Sequence, residues 1–76
     1  MDYDLVSQMN VEAFRLFNAN EINFTEHSYI TEYINDLIYG KKCVKTFYPK
    51  IASFFQEFGF KVENNSKTYN IFSKNT

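Results

Sequence analysis

The sequence of 76 residues predicts an α+β fold in which a three-helix core is followed by a C-terminal β-hairpin. Two observations predict this class. Apolar residues recur at helical spacing in segments that precede Gly59, and after Gly59 the spacing changes to the alternation typical of strands. No repeat, low-complexity tract or linker divides the chain, so residues 1–76 are expected to form a single domain.

The first helix is predicted over residues 4–19, where apolar residues recur close to helical spacing. NANEINF, residues 18–24, interrupts the pattern, because asparagine side chains compete with the helix through local hydrogen bonds. Ile22 and Phe24 alternate there as in a short extended segment. A second helix is expected to follow this segment.

The second helix has the clearest periodicity in the chain. Thr25 or Ser28 is expected to cap its start, and Gly40 is expected to end it. Its apolar positions follow the spacing i, i+4, i+7 and i+8, and they are Ile30, Ile34, Leu37 and Ile38.

The third helix is expected to begin near residue 48, because Pro49 suits a first turn and disfavours α geometry at Tyr48. An earlier turn over Val44 to Phe47 is the alternative left open, and Gly59 is the expected end. The predicted apolar face consists of Phe47, Ile51, Phe54, Phe55 and Phe58. Because Phe54, Phe55 and Phe58 follow helical spacing, we interpret them, with Phe60, as core rather than as a platform for stacking bases.

The hairpin is predicted to pair residues 60–63 with residues 68–72, because apolar and polar residues alternate in both segments. The sequence between them, Asn64-Asn65-Ser66-Lys67, is typical of a turn. An isolated hairpin is only marginally stable, so its apolar side is expected to pack on the first and third helices. Its tip and its lysines then remain free to contact a partner.

Charge is divided unevenly along the chain, although the net charge is only −1. Residues 1–40 hold seven acidic residues against one arginine, whereas residues 41–76 hold seven lysines against two glutamates. A basic half indicates nucleic acid or another acidic surface as a partner. The alternative is that polar surfaces carry whatever charges solubility requires.

The order helix, extended segment, helix, turn, helix, glycine, hairpin resembles a winged helix-turn-helix DNA-binding domain. The local similarity is strongest in PKIASFFQEFGFKVENNSKTYNIF, residues 49–72, which is similar to the third helix and wing of that superfamily. The segment YGKKCVKTFYP departs from it, since it is longer than the usual tight turn. The resemblance implies a small DNA-binding regulator of transcription.

The resemblance also implies a set of contact residues, because the third helix of such domains lies in the major groove and the wing contacts the backbone or the minor groove. Residues that would face the groove are Thr46, Lys50, Ser53 and Glu57, with Lys41, Lys42 and Lys45 at the phosphates. Wing residues would be Lys61, Asn64, Asn65, Ser66 and Lys67. Lysines neutralise phosphates independently of the resemblance, but residues 41–76 lack arginine, so modest base discrimination is expected.

An enzyme is not expected. Glu26, His27 and Ser28 are neighbours at a helix start, where a capping role explains them better than hydrolytic chemistry. One cysteine and one histidine cannot form a metal site or a disulfide within the chain, and no cofactor motif is present. Cys43 lies near lysines, but an inert or partly buried thiol is the expectation.

A protein-binding module is the rival prediction, for example a viral or plasmid-encoded inhibitor of a host factor. The acidic residues would then dock on a basic host protein or mimic nucleic acid, and they are Asp2, Asp4, Glu12, Glu21, Glu26, Glu32 and Asp36. The absence of arginine from residues 41–76 favours this reading. A cytoplasmic protein without a membrane span is expected in either case, since the N-terminus lacks an apolar run and a free cysteine suits a reducing compartment.

Overall fold

Three helices and three strands form the chain in the computed structural model, which describes residues 3–74. In order they are α1 (Tyr3–Asn18), α2 (Phe24–Tyr39), β1 (Cys43–Thr46), α3 (Pro49–Glu57), β2 (Val62–Asn65) and β3 (Thr68–Phe72). The predicted α+β fold with three helices and a C-terminal hairpin is confirmed. The order differs in one respect, because the extended segment lies between α2 and α3 rather than between α1 and α2.

The connection between α1 and α2 is a tight turn followed by a capping box. Asn20 takes a left-handed φ of 60°, which asparagine tolerates better than most residues. Asn23 then caps α2: its side chain accepts from the amide of Glu26, whose carboxylate accepts from the amide of Asn23, both at 2.8 Å. The prediction that Thr25 or Ser28 caps this helix is therefore wrong. Phe24 is helical rather than extended.

The segment after α2 forms a strand, so the alternative of an early turn over Val44 to Phe47 is wrong. Val44 and Thr46 are buried, while Cys43 and Lys45 are exposed, which is the period of two expected for a strand. β1 pairs antiparallel with β3 at the end of the chain. Its partner is thus separated from it in sequence by all of α3 and β2.

Both ends of α3 follow from local sequence. Pro49 occupies the first turn and Tyr48 is the N-cap, so Phe47 lies outside the helix and is 71% exposed. The prediction that Phe47 belongs to the apolar face is wrong. At the other end Gly59 has φ +87°, and the amide of Phe60 donates to the carbonyl of Phe55 at 3.1 Å. Their rings meet edge to face at 5.4 Å, which completes a Schellman motif.

The sheet has the strand order β1-β3-β2, and both pairings are antiparallel. β2 begins at Val62, two residues later than predicted, and Asn64 and Asn65 lie in the strand rather than in the turn. The turn consists of Ser66 and Lys67, with Ser66 at φ 65°. The hairpin itself is confirmed.

The sheet has two faces, which we call inner and outer. The inner face carries the side chains of Val44, Thr46, Val62, Asn64, Tyr69 and Ile71, because these residues are opposite one another in the pairing register. The outer face carries Cys43, Lys45, Glu63, Asn65, Thr68, Asn70 and Phe72. The edge-strand residues of the outer face, namely Cys43, Lys45, Glu63 and Asn65, are all exposed.

The core lies between the inner face and the helices. Its buried apolar residues are Met9, Ala13, Ile22, Ile30, Ile34, Leu37, Val44, Ile51, Phe54, Phe55, Phe60 and Ile71. The predicted core position of Phe54, Phe55 and Phe60 is confirmed, and Phe58 packs against the cluster partly buried. The hairpin packs on α3 as predicted, whereas α1 packs mainly on α2.

Candidate nucleic-acid interface

Three lysines lie together at one end of the sheet. The carbonyl of Lys42 accepts from the amide of Ser73 at 2.8 Å, and the carbonyl of Lys61 accepts from the amide of Phe72 at 2.9 Å. Lys42 and Lys61 therefore flank the end of β3, and Lys74 follows directly along the chain. Because adjacent strands lie about 4.8 Å apart, the two flanking backbones are about 10 Å from each other. We call Lys42, Lys61 and Lys74 the lysine end of the sheet.

Weak surface interactions hold some of these lysines. The Nζ atom of Lys61 lies 3.4 Å from the carboxylate of Glu63 and 5.7 Å from the ring centroid of Phe72. The Nζ atom of Lys74 lies 5.1 Å from the ring centroid of Phe60. Exposed ion pairs contribute about 1 kcal/mol or less, so an incoming phosphate can displace Glu63. Lys42 has no ion-pair partner among residues 3–74.

Lys41 lies beside the lysine end but is engaged with α2. Its Nζ atom is 3.7 Å from the Asp36 carboxylate, and its amide donates to the carbonyl of the same residue. The side chain is still 65% exposed. Lys41 adds positive charge at this end, although Asp36 offsets much of it.

The opposite end of the sheet combines an aromatic ring with the hairpin turn. Thr46 pairs with Tyr69, so Phe47 follows at the level of Thr68 and the turn. Phe47 is exposed, as are the predicted wing residues Asn64, Asn65, Ser66 and Lys67. Lys45 lies on the outer face between the two ends, and neither it nor Lys67 has an ion-pair partner within residues 3–74. Phe47, Asn65, Ser66 and Lys67 form what we call the turn end.

Thr46, predicted to contact DNA, does not belong to this surface. Its side chain is on the inner face and is only 3% exposed. The hydroxyl oxygen accepts a hydrogen bond from the amide of Tyr48 at 3.1 Å. Thr46 thereby fixes the turn that leads into α3.

Lys50 and Ser53 lie on the exposed side of α3, away from the outer face. Because α3 packs against the inner face of the sheet, its exposed side points away from the sheet lysines. The Lys50 ammonium donates to the carbonyl of Glu21 at 2.8 Å. The groove here has a volume of about 270 Å³ and is lined by Leu16, Glu21, Ile22, Pro49, Lys50, Ser53, Phe54 and Glu57. The predicted DNA-contact residues are therefore divided between two surfaces.

The surroundings of α3 are acidic. The Glu12 carboxylate accepts two hydrogen bonds from the Arg15 guanidinium at 2.8 Å, and this contact raises the pKa of Arg15. The charges of Glu21 and Glu57 act on Arg15 in the same direction. Negative charge beside α3 opposes the approach of a phosphate backbone.

Several acidic residues of the chain's first half are committed to internal contacts. Glu26 is 8% exposed within the capping box, Glu12 pairs with Arg15, and Asp36 pairs with Lys41. Asp4, Glu21 and Glu32 are exposed, and Asp2 lies outside the described residues. Three acidic residues of the described part of this half are therefore engaged within the fold, and three are exposed.

Glu26 and His27, the residues considered for hydrolytic chemistry, make structural contacts. The capping role predicted near His27 belongs to Glu26, while the His27 ring stacks on Phe17 at 5.0 Å. Cys43 is exposed on the outer face rather than partly buried. Within residues 3–74 no three histidine, cysteine, aspartate or glutamate side chains gather as a metal site would require. None of the helices described is long and apolar enough to cross a bilayer.

Two aromatic features were missed at the level of sequence. Tyr29 packs on Tyr33 and Tyr48, with ring centroids 5.7 and 5.8 Å apart, and the Tyr33 hydroxyl donates to the carbonyl of Lys45 at 3.4 Å. Partial burial raises the pKa of Tyr33, and the negative charges nearby act in the same direction. The second feature is an outward apolar stripe on α1 that includes Val11 and Phe14. Both residues lie in α1, but neither is part of the buried core.

Comparison with known proteins found no matching family model, no matching protein of curated function and no matching solved structure. The winged-helix resemblance stays a prediction. The features of the chain that bear on its function are the exposed lysines, the open sheet face and the residues around them.

Proposed function

We propose that the protein binds nucleic acid, and duplex DNA in particular, through the outer face of its sheet. The observation that carries the proposal is the position of Lys42, Lys45 and Lys67. All three are exposed, Lys45 on the outer face and Lys42 and Lys67 at opposite ends of the sheet, and none has an ion-pair partner among residues 3–74. Unpaired lysines on an open surface can neutralise phosphates without first losing a protein contact.

The dimensions of this face suit a phosphate backbone. Lys42 lies at the level of Ser73 and Lys67 next to Thr68, so the two lie about five residues apart along β3, or about 16 Å. Along the duplex axis each strand carries one phosphate about every 3.4 Å, so this length corresponds to about five phosphate levels on that axis. Asn65 and Ser66 at the turn end can donate hydrogen bonds to phosphate oxygens.

This mode differs from docking of the third helix in the major groove. Lys50 is bonded to the α1–α2 connection, and Glu21 and Glu57 lie on the same side of α3. No arginine lies in the sheet to read guanine edges, so binding should depend on the backbone and discriminate weakly between sequences. The exposed ring of Phe47 would add a stacking contact only with an unpaired base.

Fluorescence anisotropy with a labelled mixed-sequence duplex tests the proposal at about 50 mM and about 200 mM salt. Each phosphate contact adds about 0.9 to the salt slope, so contacts by Lys42, Lys45 and Lys67 predict a slope of about −2.7. The double variant Lys45→Ala/Lys67→Ala should lower the slope by about 1.8. Lys50→Ala is the matched control and should leave the slope unchanged.

Two results would contradict the proposal. One is an absence of binding at the lower salt concentration. The other is a larger loss of binding in Lys50→Ala than in the double sheet variant, which would favour docking of the third helix instead. A single-stranded probe of the same sequence tests Phe47, since stacking predicts that Phe47→Ala weakens binding to the single strand more than to the duplex.

Binding to a basic host protein receives less support. Asp4, Glu21 and Glu32 are exposed, but Glu12, Glu26 and Asp36 are already engaged within the fold. A carboxylate that is already paired within the fold contributes less to the steering of a basic partner than a free one. A pull-down with nuclease treatment separates the two functions, because nuclease should release partners that are held through nucleic acid.

A further inference from the structure

Helix α1 has two apolar stripes, and the core accounts for only one of them. The inward stripe includes Met9 and Ala13, which are fully buried. The outward stripe consists of Tyr3, Val11 and Phe14, which are 68%, 67% and 56% exposed. At 100° per residue these three side chains fall within a sector of about 80° that faces away from the core. A surface helix needs one apolar stripe, so the second one indicates a contact outside the protomer.

The polar residues around the outward stripe are arranged in a specific way. Ser7, Asn10 and Asn18 are exposed on the same side of α1 and carry no charge. Asp4 and Arg15 are also exposed and are eleven residues apart, which is close to three full turns. They therefore lie on the same edge of the stripe, one near each end of the helix.

We propose that the outward stripe is a self-association surface, on which α1 packs antiparallel against α1 of a second copy of this chain. A two-fold axis perpendicular to both helices keeps each edge of the stripe on the same side of the interface. Asp4 of one copy then faces Arg15 of the other, and the symmetry repeats the pair. If the axis passes between Asn10 and Val11, Asp4 of one copy and Arg15 of the other differ by about 3 Å in their position along the helix axes.

The same arrangement places small residues opposite large ones. With the axis between Asn10 and Val11, Ser7 of one copy is level with Phe14 of the other. Phe14 of each copy can therefore pack against the small side chain of Ser7 in the other copy, as in knobs-into-holes packing. Phe14 lies about one turn from Val11 on the same helix.

The amount of apolar surface suits a weak dimer. An aromatic side chain buries about 150–250 Å² when fully covered, so Tyr3, Val11 and Phe14 together expose roughly 350 Å² per copy. A standard interface buries about 800 Å² per partner, and the uncharged side chains beside the stripe would supply the remainder. We therefore expect a dissociation constant in the micromolar range.

Charge favours a second copy over a partner of another kind. Glu12 and Arg15 already form a close pair at 2.8 Å, so the described part of α1 carries little net charge. A strongly basic or strongly acidic partner would leave either Arg15 or Asp4 facing a like charge. A second antiparallel copy offers each of them an opposite charge.

Sedimentation equilibrium without nucleic acid tests this inference separately from the proposed function. At about 200 μM protein, the expected mass is twice the 9.1 kDa of the chain. The variant Val11→Ser/Phe14→Ser should sediment as a monomer, while its circular dichroism spectrum shows that it is folded. Phe47→Ser is the matched control, because Phe47 is also exposed, at 71%, but lies between β1 and α3 rather than on α1. A monomeric wild type, or a dimer unaffected by the first variant, would overturn the inference.

A charge exchange tests the antiparallel register. Asp4→Arg places two arginines opposite each other, and Arg15→Glu places two acids opposite each other, so each variant alone should dimerise at least tenfold more weakly. A mixture of the two variants restores both attractive pairs and should recover the dimer, now as a heterodimer. If the mixture is no more dimeric than its components, the antiparallel register is wrong.

Discussion

The inner and outer faces of the sheet are formed by the same strands but differ in solvent exposure. On the inner face, Val44, Thr46 and Ile71 are 6%, 3% and 0% exposed. On the outer face, Cys43 and Lys45 of the same strand β1 are exposed. Adjacent residues of β1 therefore differ in their surroundings. Those on the inner face are packed in the core, and those on the outer face are exposed, where we propose that nucleic acid binds. Substitutions on the two faces should separate stability from binding.

Phe55→Ala should give the largest effect on the inner side. Phe55 is fully buried and meets the rings of Phe54 and Phe60 at 5.2 and 5.4 Å. Its truncation removes apolar burial and leaves a cavity, so the free energy of unfolding should fall by about 3–5 kcal/mol. Urea denaturation measures this change.

Phe47→Ala is the matched control for Phe55→Ala, because it removes the same side chain from an exposed position. We expect a change within about 0.5 kcal/mol, as is usual for surface substitutions. Equal losses in the two variants would show that the structural division between the faces is wrong.

Thr46→Val should be the next largest effect. Valine fills nearly the same volume, but it removes the hydroxyl that accepts from the amide of Tyr48. An unsatisfied amide at this partly buried turn should cost about 1–3 kcal/mol. Thr68→Val is the control, since its hydroxyl makes an exposed 3.3 Å bond to the carbonyl of Asn65 on the outer side. Equal losses of stability in the two valine variants would contradict the prediction that burial makes the Thr46 hydrogen bond contribute more than the exposed one of Thr68.

The sequence predicted elements whose determinants are local. FFQEFGF contains both the phenylalanines that pack at the end of α3 and the glycine that takes φ +87°. The capping box of α2 is also local, since Asn23 and Glu26 have the required spacing, but Thr25 and Ser28 are competing capping side chains within the same few residues. β1 was missed because its burial depends on a strand partner that begins at Thr68.

The candidate site was predictable only in part, for the same reason. Alternation within the hairpin was enough to predict an exposed Lys61, and the turn sequence was enough to predict an exposed Lys67. The position of Lys50 depends on its contact with Glu21, which is distant in sequence, and no local pattern indicates it. Thr46 was assigned to the surface because the strand containing it was not recognised.

Ser66→Gly should increase stability, by less than Thr46→Val decreases it. Ser66 holds φ at 65° in the hairpin turn, a region that glycine enters without the steric cost of a Cβ atom. Glycine also gains freedom in the unfolded chain, so we expect a net increase of only about 0.5 kcal/mol. Ser53→Gly, in the exposed middle of α3, should instead destabilise by about 0.5 kcal/mol, because glycine is the poorer helix former of the two. Thermal unfolding of both variants tests whether the turn end carries backbone strain.

The smallest expected effect is a pH dependence at the edge between the two faces. The Tyr33 hydroxyl donates to the carbonyl of Lys45, and partial burial raises the pKa of Tyr33 above its ordinary value of 10.0. The unfolded chain therefore releases this proton at lower pH than the folded protein does. The resulting stabilisation is fully present below pH 10.0 and is lost as the pH rises through the folded-state pKa. Urea midpoints of the wild type and Tyr33→Phe should differ by a constant amount below about pH 10.0, and between that pH and the folded-state pKa the wild type should lose stability relative to the variant. Parallel curves up to the highest pH at which the protein folds would show that the phenol is not held neutral by its position against β1.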